Sequence, residues 1–179
     1  MLPLSLALIL AAAMTSPAAA EEQSACSLLT SGDVENVIDG KLGVTQPLKF
    51  DDVPAGPNRV IKTLGCLLSV PTHTGQVSIG WYVGPITDQE IDQLLKMSKD
   101  NVGVNNLKKA NYKEVVKDFP HASCSTLSPP ASAKDGMYLS TCAGGVKGHG
   151  LSIQFMSPTK ALTIDQAKAL LDKAAAHVP

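Results

Sequence analysis

From Val77 to Val83 apolar residues alternate one for one with small or polar ones, Val77, Ile79, Trp81 and Val83 on one side of the pattern and Ser78, Gly80 and Tyr82 on the other. A period of two sustained over seven residues predicts a β-strand with one buried and one open face. The run Cys66 to Val70 precedes it, and Pro71-Thr72-His73-Thr74-Gly75 between the two supplies turn chemistry, so the segment reads as a hairpin. The period then lengthens. Ile91, Leu94 and Leu95 fall at helical spacing, Thr87 stands at the N-cap position, Glu90 completes a capping box, and Ile86 is placed to staple onto Ile91.

The same order returns 76 residues later. Met137 to Cys142 leads through Gly144-Gly145-Val146-Lys147-Gly148 into Leu151, Ile153 and Phe155; a helix then opens at Thr163, with Gln166 as box partner and Ala167, Leu170, Leu171 and Ala174 as its apolar stripe. Without gaps, Cys66 falls on Cys142, His73 on His149, Val77 on Ile153, Ile79 on Phe155, Thr87 on Thr163 and Leu94 on Leu170. The chain is therefore expected to hold two pseudo-repeated strand-turn-strand-helix units, at about residues 64–100 and 137–178.

Around these units the signals are weaker. Thr30 and Asp33 form a third capping box, with Leu29 as staple and Val34, Val37 and Ile38 on one face; Asp39-Gly40 ends that helix. Lys41 to Arg59, with Pro47, Pro54, Gly56 and Pro57, is expected to be a long surface loop. Leu107 to Phe119 fits a helix or a strand, and Ser123 to Lys134, with Pro129-Pro130, reads as loop. The sum is an α+β fold: an antiparallel sheet of four or more strands with helices on one face.

The first twenty residues change the compartment. An apolar run from Leu2 to Met14, then Pro17, then Ala18-Ala19-Ala20 before Glu21-Glu22, reads as a signal peptide over residues 1–20, leaving a single domain at 21–179. No Lys or Arg precedes the apolar run. Export gives meaning to Cys26, Cys66, Cys124 and Cys142, since thiols in an oxidising compartment pair. Four cysteines allow three pairings, of which Cys26–Cys66 with Cys124–Cys142 is favoured. Without a C-x-x-C spacing they are expected to be staples, neither a redox pair nor a zinc site.

The segment Ala25-Cys26-Ser27-Leu28-Leu29-Thr30-x-x-Asp33-Val34, followed by Gly65-Cys66, resembles the start of small secreted bacterial domains of unknown function. Among these are lipoproteins and the extracellular sensor domain of a mycobacterial serine/threonine kinase. The resemblance implies a Cys26–Cys66 disulfide and a mixed fold of the broad PsbP/Mog1-like type, with no catalytic residues to carry over. The chain departs from the lipoproteins in that Cys26 lacks a lipid-attachment context.

Composition narrows function mainly by exclusion. Fifteen Lys plus Arg against sixteen Asp plus Glu give a net charge of −1 and no basic field for nucleic acid, and aromatics at 4% leave few stacking platforms. No G-x-S-x-G, H-E-x-x-H, P-loop or dinucleotide fingerprint occurs in the mature chain, and no cofactor is expected. His73 and His149 hold equivalent places in the two units and are candidate ligands for a metal or an anion. Asp51-Asp52 offers at most a weak calcium contact, and Trp81 belongs to the core. The open strand face, represented by Tyr82, Gln154 and Met156, together with the loop before Cys66, is the candidate surface for a protein or small ligand. The expected role is an exported, non-enzymatic binding or sensor-type module with no membrane attachment after leader cleavage. An inhibitor or immunity-type protein blocking an envelope enzyme, and a small metal-dependent enzyme, are the alternatives.

Overall fold

The computed structural model describes residues 24–54, 59–99 and 102–179. The expected leader lies outside them. After a short 3-10 turn at Ala25–Ser27 come α1 (Ser31–Ile38), β1 (Thr45–Lys49), β2 (Val53–Pro54), β3 (Val60–Val70), β4 (Gly75–Val83), α2 (Asp88–Lys99) and α3 (Val102–Lys109). Then follow β5 (Lys113–Phe119), β6 (Ala122–Ser128), β7 (Tyr138–Val146), β8 (His149–Ser157) and α4 (Ile164–Ala176). The strands form one sheet in the order β1-β3-β4-β8-β7-β6-β5, with β2 beside the start of β3 and every neighbour antiparallel. This is the expected α+β architecture, fastened by Cys26–Cys66 and Cys124–Cys142.

Alternation decides which face is buried. Val77, Ile79 and Trp81 of β4 and Leu151, Ile153 and Phe155 of β8 project to one side, where Val34 and Ile38 of α1 and Ala167, Leu170 and Leu171 of α4 cover them. Both helices begin as the sequence predicts: Thr30 with Asp33, and Thr163 with Gln166, close reciprocal capping boxes, each worth about 1 kcal/mol against an alanine cap. Gln166 does more, because its Nε2 also donates to the Val37 carbonyl at 2.9 Å and ties α4 to α1.

α2 takes the other side. Its capping box forms, with the Thr87 amide donating to Glu90 at 2.8 Å, but Ile91 packs over Gly145, whose missing Cβ leaves room for it. Ile61, Ile86 and Ile91 make a small second core there with Val53, Tyr82, Leu94 and Leu95. Thus α1 and α4 share the main core face, and α2 covers one end of the opposite face. Connector length accounts for the difference. Four residues, Gly84 to Thr87, join β4 to α2 and are held where the Ile86 amide donates to the Gly148 carbonyl at 2.7 Å. Six residues, Pro158 to Thr163, join β8 to α4 and are anchored by the buried Ser140 hydroxyl, which bonds both the amide and the carbonyl of Leu162.

The two hairpins also differ inside their turns. Four residues separate β3 from β4, and two separate β7 from β8. Cys66 pairs with Ile79 and Cys142 with Ile153, so β8 matches β4 at an offset of 74, two less than the ungapped alignment. A shift of two keeps each side chain on its own face, and the longer second connector restores the offset of 76 at the helices.

Two stretches expected to be loop carry strands. Lys41 to Arg59 contains β1 and β2, edge segments in which Pro47 and Pro54 are tolerated because no outer strand among the described residues needs their missing amides. Ser123 to Lys134 begins as β6, where Ala122, Cys124 and Leu127 are buried and Cys124 lies directly opposite Cys142. Leu107 to Phe119 divides into the end of α3 and the edge strand β5. Helix α1 stops on Asp39 itself, which adopts φ 51°, ψ 47°, so Gly40 is not the residue in the left-handed region.

Candidate functional site

The open face of the sheet is concave at its centre because the residues that point there are small. Ser78 and Gly80 on β4, Ala143 on β7, and Gly150 and Ser152 on β8 leave a trough between two raised walls. One wall is Phe50 and Asp51 from the segment joining β1 to β2, with Val53 of β2; the other is Ile91, Leu94 and Leu95 of α2. The volume of this half-open trough is about 390 Å³, within the roughly 300–1,000 Å³ typical of small-molecule sites.

Each wall has a local cause. The Asp52 carboxylate accepts the Thr63 amide at 3.0 Å and holds the first wall against β3, while the ring of Phe50 lies where a side chain at Gly65 would stand. The second wall is held by the α2 staple and by Glu90, which pairs with Arg59. The cleft's floor is polar and uncharged: Tyr82 bonds Ser152, and Thr141 and Gln154 lie beyond. Burial pushes the Tyr82 phenol above its ordinary range, against the opposing effect of the Ser152 bond. Beneath the first wall sits Thr63, 8% exposed, whose Oγ1 has no hydrogen-bond partner among the described residues. Asp51 is the only charged side chain among the described residues that line the cleft.

Of the residues singled out from sequence, Tyr82 and Gln154 line this cleft. Met156 shares their face but sits two residues further along β8, outside it. His73 and His149 are not brought together. His73 Nε2 is 2.8 Å from the Ile38 carbonyl at the start of β4, whereas His149 Nδ1 accepts the Gly84 amide at 3.3 Å beyond its end; nine residues at 3.3 Å rise put about 30 Å between them. Among the described residues no group of three or more His, Cys, Asp or Glu is placed to hold a metal. Asp51 and Asp52 separate in role, one on the cleft wall and one bound to Thr63. Trp81 is in the core as expected, 1% exposed, with its ring 5.8 Å from that of His149.

The loop before Cys66, expected to take part in recognition, supplies Phe50, Asp51 and Val53, whereas Thr63 and the apolar side of α2 were not legible as site residues. The available signal was the run of small residues on the open face, which marks a depression without naming its walls.

No protein-family model matches the chain, and no curated protein matches it significantly. Among solved structures, it is similar in fold to the extracellular domain of PknH from Mycobacterium tuberculosis, with a TM-score of 0.54 and 16% identity over 88% of this chain and 95% of that one. At that identity the likeness concerns the fold. The shared fold is that of a kinase extracellular domain of the kind the opening residues resemble, and it gives no specific support to the PsbP/Mog1-like assignment.

Proposed function

We propose that this protein is an exported, non-enzymatic binding module that takes a small molecule into the cleft on the open face of its sheet. The observation that carries the reading is the cleft itself, a concavity with a small-residue polar floor and apolar walls from two separate elements. Sites of this build bury most of a ligand's surface and orient it through a few polar groups. Export is supported by the two disulfides and the likeness to an extracellular domain, since disulfides persist where the surroundings are oxidising. The binding role is supported by what the cleft offers among the described residues: hydroxyls, an amide and aliphatic surface.

Titration with an uncharged fluorophore, N-phenyl-1-naphthylamine, tests the reading. Wild-type protein is expected to enhance and blue-shift the dye's emission saturably, and Ala143→Leu, which fills the trough, to weaken binding by about tenfold or more while the fold is retained by circular dichroism. Equal dye affinity in the filled variant would remove the cleft from the account.

A further inference from the structure

We infer that the cleft selects an uncharged amphiphile, a molecule with an aliphatic body and a hydroxyl or carbonyl head, and that Thr63 is the residue that recognises the head. The inference rests on the cleft being the binding site. Two observations carry it. The first is charge: among the described residues lining the cleft there is no Lys, Arg or His, and the single acid, Asp51, is exposed at the rim. An anionic head entering this trough would lose its hydration without gaining a counter-charge, and a buried cation would find only hydroxyls and an amide.

The second is Thr63. Its side chain projects to the cleft face, opposite Tyr82 across the β3–β4 pair. The residue is more than nine-tenths buried, and its backbone amide is already committed to Asp52, yet its hydroxyl has no partner among the described residues. Buried hydroxyls are nearly always satisfied, and one that is covered at the edge of a cavity, with no partner among the described residues, calls for a partner that is not part of the chain. A hydroxyl both donates and accepts, so an alcohol or carbonyl head reaching under the Asp51–Val53 wall would satisfy it, while the chain of the molecule lies against Ile91, Leu94 and Leu95. Tyr82 and Ser152, already bonded to each other, form the floor beneath.

Calorimetric or NMR titration with three probes of equal chain length, 1-octanol, octanoate and octylammonium, tests this, on wild type, Thr63→Val, Thr63→Ser and the cleft-filling Ala143→Leu. The expected result is that 1-octanol binds at least about tenfold more tightly than either ion. Thr63→Val, of nearly the same shape, is expected to weaken octanol about fivefold and raise the melting temperature by removing the unpartnered hydroxyl; Thr63→Ser is expected to restore affinity. Octanoate or octylammonium binding as well as octanol, or Thr63→Val binding octanol unchanged, overturns the inference; if Ala143→Leu abolishes all three, the cleft stands as a site of different selectivity. Binding of every probe unaffected by Ala143→Leu overturns the cleft reading together with the inference.

Discussion

Ile79 and Ile153 lie directly opposite one another on the two central strands, and Cys66 and Cys142 are their respective partners on the outer side, so the row runs Cys66, Ile79, Ile153, Cys142 and then Cys124 across the sheet. The two hairpins meet about this isoleucine pair. Each has one disulfide attached at the same level: Cys66 ties the hairpin to the N-terminal turn through Cys26, and Cys142 ties it to β6 through Cys124.

The two bridges are expected to differ in stabilisation because they close chain segments of different length. For separations of 40 and 18 residues, loop-closure entropy gives about 4 kcal/mol for Cys26–Cys66 and about 3 kcal/mol for Cys124–Cys142. Urea unfolding of the two double-alanine variants measures this directly. A loss below about 1 kcal/mol in both would mean that the bridges do not constrain the unfolded chain.

Ser140 tests how the second connector is held. Its buried hydroxyl bonds the Leu162 amide at 2.8 Å and the Leu162 carbonyl at 3.2 Å. Ser140→Ala leaves two backbone groups without that partner, and the expected cost is about 1–3 kcal/mol in denaturant unfolding. A neutral substitution would show that the connector finds other partners.

Asp33 makes stability depend on pH. Burial raises its carboxyl, but the Thr30 side-chain and backbone bonds, with His177 at 3.3 Å and Lys173 at 3.8 Å, outweigh that and lower it below the usual value of 3.8. A carboxylate depressed in the folded state contributes stability that is complete above the unfolded value and is lost as pH falls through the folded one. Asp33→Asn is therefore expected to be less stable than wild type at pH 6, with the gap closing below about pH 4. Thermal melts at pH 6 and pH 3 measure it; a gap that stays constant would contradict the assignment.

Tyr82 is expected to ionise above the ordinary phenol range, because burial in the cleft raises it above 10.0. Ultraviolet titration should show one delayed phenolate step that Tyr82→Phe removes. A spectrum in which Tyr82→Phe removes no delayed step would place the Tyr82 hydroxyl in water.

The parts of the fold legible in the sequence are those fixed by near neighbours. Thr30 with Asp33, Thr87 with Glu90 and Thr163 with Gln166 start their helices because each motif contains both halves of its bonding. The alternation around Ile79 and Ile153 marks the buried face equally locally. β6 was hidden by its Ser and Thr content and by the prolines after it; pairing with β7 and the bridge at Cys124 make it a strand, and neither is a local property. The face taken by α2 was hidden for the same reason: its cap and stripe match those of α4, and only the shorter connector and the space above Gly145 send it to the other side. That placement makes the cleft, so the open face was readable from Tyr82 and Gln154, and the loop before Cys66 as its neighbour, while the α2 wall was not.

The central claim is that this cleft receives a small molecule, and amide chemical-shift mapping during titration with N-phenyl-1-naphthylamine tests it most directly. Saturable shifts centred on Gly80, Tyr82, Ala143 and Ser152, fading toward β5, are the expected result; shifts confined to other surfaces, with these four amides unmoved, would contradict it.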